Sequence, residues 1–494
     1  MSMIQINNLT FRYDGAIENL FENVTLNIDT NWKLGLIGRN GKGKTTLLNL
    51  LLGKYKYQGT IKNNVEFDYF PFEVKEKQKM TIEILEEIAP QINDWEILKE
   101  INLLNANPEI LYRNFETLSG GEQVKVLIAT LFAKENNFLL IDEPTNHLDI
   151  ETRQNLIQYL KKKKGFILVS HDREFLDKIV DHIISINNTN IEILKGNFSI
   201  WQENKNRKDN FEIKQNEKIK QTIERLEVAK ENTANWADKI EKTKNNKNNK
   251  EAVLDKGYIG HQSAKMMKKS KIMEKRIDKA IDEKYNLLKN IDKKEELIIK
   301  PIYSRKEPLI MAHNFQIKYN NSEIFKKVSF EINNRERIAI TGKNGIGKSS
   351  LLKAFLGSNL ETNGELKIVN GLKISYISQN TDYLNGSLKK FALENNINES
   401  IFKAMLSKMG FSKTEFEKDI KEFSEGQKKK VLIAKSITES ANIYIWDEPL
   451  NYIDILSRIQ IEEAILKYEP TLIFVEHDKT FIKNIATTEI KLSN

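Results

Sequence analysis

The stretch "GRNGKGKTT", Gly38–Thr46, and the stretch "GKNGIGKSS", Gly342–Ser350, both match the pattern G-x-x-x-x-G-K-[ST] in full. They begin 304 residues apart. Each follows an apolar, strand-like run ("KLGLIG", "RIAITG") and precedes a helix-like one. A glycine loop in that setting offers backbone N–H groups at a helix N-terminus, where phosphate oxygens bind. Lys44 and Lys348 are then placed to reach the β- and γ-phosphates of ATP, and Thr45 and Ser349 to ligate Mg2+. Gly38, Arg39, Asn40, Gly41, Lys42, Gly43 and Thr46 complete the first cradle. Gly342, Lys343, Asn344, Gly345, Ile346, Gly347 and Ser350 complete the second.

Three further motifs recur at nearly the same interval. "LSGGEQ" has Ser119 and "FSEGQK" has Ser424, 305 apart; "LLIDEPTNHLD" has Asp142 and "YIWDEPLNYID" has Asp447, also 305 apart. "VSHD" holds His171 and "VEHD" holds His477, 306 apart. A repeat this large is a duplicated domain and not a solenoid. The expected architecture is α/β, with two P-loop nucleotide-binding domains at 1–200 and 303–494 and an insert at 201–302. Asp142 and Asp447 each end an apolar strand, where a carboxylate can hold hydrated Mg2+. Glu143 and Glu448 follow at once and can polarise an attacking water. His171 and His477 end later strands and are candidates for contact with the γ-phosphate. Tyr13 and Tyr319 occupy matching N-terminal places and are candidates for stacking on adenine.

The insert has a different character. Of 494 residues, 77 are Lys or Arg and 69 Asp or Glu, a net charge of +8. Trp201–Lys300 alone holds 26 basic and 18 acidic residues, so it carries the whole excess, and the flanking domains are neutral. A basic element between neutral domains suggests a polyanionic partner. Within it, 205–244 and 263–299 read as two charged helices with narrow apolar stripes (Ile219, Ile223, Leu226; Ile277, Ile281, Leu288, Ile291), suited to an antiparallel pair. The stretch 245–262, with Gly257 and Gly260, reads as the tip. The chain has no cysteine, which excludes disulfides, cysteine zinc sites and iron–sulfur clusters. No apolar run approaches the ~18 residues of a membrane helix. The opening "MSMIQINNLTFRYDG" alternates like a strand and lacks the apolar core of a signal peptide, so a cytoplasmic location is expected.

These motifs resemble the paired nucleotide-binding domains of the ATP-binding-cassette superfamily, and "SGGEQ" resembles its signature. Two cassettes on one chain resemble the ABC-F group, which acts on ribosomes. The segments "TNWKLGLIGRNG", "KKKKGFILVSHDR", "KGNFSIW", "IGHQSAKMMKKSK" and "YIWDEPLN" are similar to the Lsa-type antibiotic-resistance members, and so is the short helical arm at about 74–117. The resemblance implies a monomer whose cassettes pair head to tail. Ser119, Gly120, Gly121 and Glu122 would face the second P-loop, and Ser424, Gly426 and Gln427 the first. It also implies a 70S ribosome partner, with the helical insert in the exit-tRNA site beside the P-site tRNA and its tip near the peptidyl-transferase centre of 23S rRNA. Neither DNA nor a membrane would be a partner. Lys265, Lys268, Lys269 and Lys271 are the candidate RNA-phosphate contacts. Leu254 and Tyr258, with Met266 and Met267, are candidates for the tip contact or for packing within the hairpin.

The sequence departs from the family pattern in two places. Phe72 stands where the first Q-loop is expected to hold glutamine, whereas the second keeps Gln379, a candidate metal ligand. Glu425 replaces the first glycine of the second signature, and a carboxylate near a γ-phosphate is unfavourable unless it points outward. Both departures fall in the composite site of Lys44, Asp142 and Glu143, so an asymmetric pair is expected. The leading expectation is an ATPase that protects ribosomes from lincosamide, streptogramin A and pleuromutilin antibiotics. The alternatives are a housekeeping ribosome factor, the motor of a separate membrane exporter, and a DNA-repair cassette ATPase. The exporter reading is weakened by the basic hairpin and the short arm. The repair reading lacks the zinc modules or very long coiled coils it usually needs.

Overall fold

The structure is a computed structural model that describes residues 2–15, 19–72, 74–134, 137–145, 148, 150–187, 190–244, 265, 268–269, 271–273, 275–280, 296–319, 322–343, 345–358 and 360–493. These residues group into two compact units. Met1–Trp201 with Lys294–Asn494 form one, and Gln202–Lys293 the other.

In the first unit each cassette is built on a parallel sheet. The first sheet has the spatial order Glu66–Phe70, Asn137–Asp142, Phe166–Val169, Lys33–Ile37, His182–Asn187, Asn190–Lys195, antiparallel only at the last pair. The second repeats the scheme with Ile374–Ile377, Ile443–Asp447, Leu472–Val475, Arg337–Thr341 and Thr488–Lys491, all parallel. Strands covered on both faces are continuously apolar, as "FILV" and "IYIW" are, and every residue of Phe166–Val169 and Leu472–Val475 is buried. In such sheets the carboxyl ends of the strands form the ligand crevice. Asp142 and Asp447 sit at those ends because the apolar run stops there. A smaller antiparallel sheet flanks each cassette: Phe21–Asp29, Met3–Phe11 and Gln58–Lys62 in the first, and Ile310–Tyr319 with Val328–Ile332 and Glu361–Ile368 in the second.

The helical arms are short, with Thr81–Ile88 and Asp94–Leu103 in the first cassette and Leu388–Glu394 and Glu399–Lys408 in the second. The junction between cassettes is unequal. Ile455 and Ile459, from the second cassette's helix Ile455–Tyr468, belong to the buried core of the first, with Leu456 at its edge. Burying such a side chain contributes about 1.5–3 kcal/mol.

In the second unit, Gln202–Lys244 are helical, as are Lys265, Lys268, Lys269, 271–273 and 275–280. Lys230 pairs with Asp278 at 2.7 Å, and Ile223 is buried, so the two helical runs meet there. Lys265, Lys268, Lys269 and Lys271 are exposed. Leu254, Tyr258, Met266 and Met267 lie outside the described residues. No helix among the described residues is long and apolar enough to cross a membrane.

Candidate active site

The first phosphate loop passes through left-handed backbone at Gly41 and Gly43, where a Cβ at 43 would strike Phe21 and Leu20. The helix Lys44–Leu51 starts at that point. Lys44 is buried, and its ammonium donates to the Gly38 carbonyl at 2.8 Å and to Asn40 Oδ1 at 3.1 Å. The Lys42 backbone N–H closes the loop onto the Arg39 carbonyl. Thr45 Oγ1 donates to Asp142 Oδ2 at 3.1 Å, and the Tyr69 hydroxyl donates to the same oxygen at 3.0 Å. Thr46 Oγ1 lies 2.6 Å from the Tyr13 hydroxyl, whose ring stands edge-on to Phe11 and Tyr55. Glu143 receives the His171 backbone N–H at 3.4 Å, and His171 Nε2 is 3.4 Å from Glu143 Oε1. Burial, reinforced by the Asp142 charge, pushes the Glu143 carboxyl up to about 8. Burial, with Lys44 and Arg458 nearby, holds His171 well below the usual histidine range, so its imidazole is neutral.

The second loop repeats the left-handed turns at Gly345 and Gly347 and opens the helix Lys348–Phe355. Lys348 Nζ donates to the carbonyls of Gly342 and Lys343 at 2.9 and 3.1 Å. Ile346 is buried in the core, and Asn344 and the Tyr319 side chain lie outside what the structure describes. Ser349 hydrogen-bonds to Asp447, while Asp447 Oδ1 is buried without a hydrogen-bond partner. Glu448 Oε2 accepts from Gln379 Nε2 at 2.9 Å and Asn451 Nδ2 at 2.7 Å, and Oε1 lies 3.3 Å from His477 Nε2. Burial alone would raise the Glu448 carboxyl. The His477 and Asn451 contacts and the Lys348 charge outweigh it and hold the group below its ordinary value. The two glutamate carboxyls are thus shifted in opposite directions.

A cavity of about 370 Å3 opens on the second loop, lined by Gly345, Lys348, Ser349, Ser350, Gln379, Glu448 and His477 among others. That volume lies within the ~300–1,000 Å3 of small-molecule sites. An ammonium held on loop carbonyls, a serine hydroxyl and an unpartnered buried carboxylate oxygen make a donor set that fits a triphosphate with a hard divalent cation. Arg153 of the first cassette also lines the cavity, and its Nη1 donates to the His477 carbonyl at 3.1 Å.

The second signature and the first loop come together in this structure. A Cβ on Gly426 would fall 2.9 Å from Asn40 Nδ2 and 2.5 Å from the Tyr452 carbonyl, so the second signature abuts the first loop. Asn40 Nδ2 donates to that carbonyl at 2.8 Å, and Arg39 lies against Gly410. The Asn40 backbone N–H points at Asp454 Oδ2 at 3.5 Å. Asp454 is fully buried, yet Lys430 at 2.7 Å, with Lys44, holds it well below the usual carboxylate range. By contrast, nothing lies within 4 Å of a Cβ on Gly120, and Gly121 faces Thr152 of its own cassette. Ser119 and Glu122 form a capping box on the helix Gly120–Ala133, as Ser424 and Gln427 do on Glu425–Thr438.

Both departures acquire a local explanation. Phe72 packs on the edge of the first core, as an apolar ring should. Glu425 Oε2 accepts from Thr381 at 2.5 Å and Oε1 pairs with Lys428 at 2.9 Å, so its charge is turned onto its own cassette. Burial would raise that carboxyl, but those bonds hold it below its ordinary value. Sequence reasoning missed Tyr69, Tyr452, Asp454, Lys430 and Arg153. Tyr69 and Asp454 carried a readable signal, because Tyr376 stands at the matching place three residues before Gln379 and Asp149 ends the matching motif of the first cassette.

Comparison with known proteins agrees with this geometry. The family profile described as ABC transporter matches residues 21–146 and 325–451. The chain is 30% identical to the ribosome protection protein VmlR of Bacillus subtilis (strain 168), over 98% of this chain and 85% of that protein. It is 28% identical to the erythromycin resistance ATP-binding protein MsrA of Staphylococcus epidermidis, over 98% of each. Among solved structures, the archaeal ribosome recycling factor aABCE1, in complex with the ribosomal stalk protein aP1, shares the fold. Its TM-score is 0.62 at 19% identity, over 99% of this chain and 87% of that one. The chain therefore belongs to the ATP-binding-cassette superfamily, within its ABC-F group, and is an ATPase.

Proposed function

We propose that this ATPase is a ribosome-protection factor whose basic helical insert binds ribosomal RNA in the exit-tRNA site and dislodges lincosamide, streptogramin A and pleuromutilin antibiotics. The observation that carries the reading is the exposed row Lys265, Lys268, Lys269 and Lys271 on helical residues, in the segment that holds all of the chain's net charge. Lysines so arranged suit RNA phosphates, whose binding releases counterions. The likeness to VmlR and MsrA along nearly the whole chain supports the same reading.

In the second site, Glu448 orients the attacking water and draws its proton, and Gln379, Asn451 and His477 fix the carboxylate's orientation. Lys348 and the loop N–H groups hold the phosphates. Mg2+, when bound, neutralises developing charge on the phosphoryl oxygens. Ser349 and Asp447 would hold it there, with Gln379 beside them, and Thr45 and Asp142 in the first site. The first site, where Phe72 stands in place of the Q-loop glutamine, contributes less turnover than the second.

A susceptibility panel in a sensitive host, with and without this gene, tests the proposal. Raised inhibitory concentrations for the three drug classes are expected. Unchanged values, with co-sedimentation of the protein and ribosomes retained, would favour a housekeeping ABC-F factor.

A further inference from the structure

We infer that Lys429 is a positioning residue that ties Gln379 and Glu448 of the second site to the docking of the second signature on the first phosphate loop. The inference rests on the reading of Glu448 as the group that orients water.

Lys429 is almost wholly buried, with 2% of its surface exposed, and it faces no carboxylate at ion-pair distance among the described residues. A buried ammonium is costly unless its hydrogens are satisfied. Its Nζ donates to the backbone carbonyls of Gln379 at 2.9 Å and Ser378 at 3.2 Å. Those carbonyls belong to the segment that aims the Gln379 amide at Glu448.

The position of Lys429 in its helix gives the contact its meaning. The helix Glu425–Thr438 begins at the second signature, where Gly426 meets Asn40 of the first loop. Its first turns carry three lysines in succession with three destinations. Lys428 pairs with Glu425, Lys429 grips the Gln379 segment, and Lys430 pairs with Asp454, whose carboxylate lies beside the Asn40 backbone. One rigid helix end therefore touches the first site through Gly426 and Asp454, and the second through Gln379. A shift of the signature moves the carbonyl clamp with it.

The first cassette has no equivalent. Five residues after its signature serine stands Val124, packed on the apolar core, and Phe72 replaces the glutamine. Coupling by this route runs only through the second cassette.

The test uses the full chain without ribosomes and measures steady-state ATP hydrolysis of K429M, Q379A and their double variant, with E448Q in parallel. Methionine keeps the chain length and removes charge and donors, and Val124 shows that the fold accepts an apolar side chain there. Removing a charged hydrogen bond of this kind should lower kcat about tenfold and leave KM for ATP within about twofold. Lys429 acts through Gln379, so the double variant should be no slower than Q379A alone. Wild-type kcat in K429M, multiplied losses in the double variant, or a chain that no longer folds without the ammonium would each overturn the inference. Wild-type turnover in E448Q would remove the underlying reading of Glu448 and the inference with it.

Discussion

The guanidinium of Arg173 and the carboxylate of Glu462 face each other across the junction of the two cassettes, each with 8% of its side chain exposed. Both guanidinium nitrogens of the fork are used, Nη1 at 3.1 Å from Oε2 and Nη2 on Oε1. Asp478, itself paired with Arg458 at 3.1 Å, lies 3.9 Å from the same fork. The duplicated positions are Lys479, which is exposed, and Ile157, which is buried in the first core. The pair thus exists on one edge of the junction only.

Breaking a buried pair leaves an uncompensated charge and costs about 3–5 kcal/mol, whereas replacing both partners with apolar groups costs far less. Glu462→Ala should therefore destabilise the protein by about 3 kcal/mol or more, and the double change Arg173→Met with Glu462→Met by much less. Denaturant unfolding of the three proteins measures this. Equal losses for the single and double variants would place the energy elsewhere.

Glu143 gives a pH signature in the protein without nucleotide. Its carboxyl is raised from 4.5 to about 8 in the folded chain, so the folded state holds a proton that the unfolded state gives up earlier. Stability from this group is complete below the unfolded value and is lost as pH rises through the folded one. Glu143→Gln stays neutral throughout. Its stability relative to wild type should improve between about pH 5 and pH 8 and then level off. Parallel melting curves across that range test it, and a constant gap would show that Glu143 is ionised in the folded protein.

Single substitutions separate the two sites. Glu448→Gln should reduce steady-state hydrolysis far more than Glu143→Gln, because Gln379 and Asn451 orient the Glu448 carboxylate, whereas Phe72 stands at the place of Gln379 in the first cassette. The double variant should bind ATP, turn over almost none, and remain on 70S ribosomes in excess ATP. Equal losses from the two single changes would argue that the sites contribute alike.

Much of this arrangement was legible in the sequence, and the exceptions share one cause. The loops, the Asp142–Glu143 and Asp447–Glu448 pairs and the histidines are local motifs fixed by a strand end and a turn. Their residue types announce themselves. Arg173, Glu462, Tyr452 and Lys429 act through partners that lie beyond their own motif or in the other cassette, and no identical residue at the duplicated position marks them, whereas Asp454 repeats Asp149 at the same 305-residue interval. Glu425 shows the same limit. Its type suggested repulsion of a phosphate, but its rotamer, set by Thr381 and Lys428, turns the charge away.

The lysine row predicts a salt dependence. Changing Lys265, Lys268, Lys269 and Lys271 to glutamine should weaken ribosome binding and flatten the plot of log K against log salt. For single-strand-like contacts each lost phosphate contact removes about 0.7 from the slope, roughly 3 for four. Filter binding across a salt series reads the slope directly. An unchanged slope would remove these lysines from the interface.

The sharing of the first core with Ile455 and Ile459 has a consequence for synthesis. The first cassette leaves the translating ribosome long before those residues are made, so it waits with part of its apolar interior uncovered. At ~5–20 residues per second the delay is on the order of tens of seconds. The basic insert emerges during that interval and adds its net positive charge to the half-finished chain. The order of the gene thus places the charged segment between two halves whose cores complete each other. Chaperone association with stalled nascent chains should persist until the arrest point passes Ile459, and then fall.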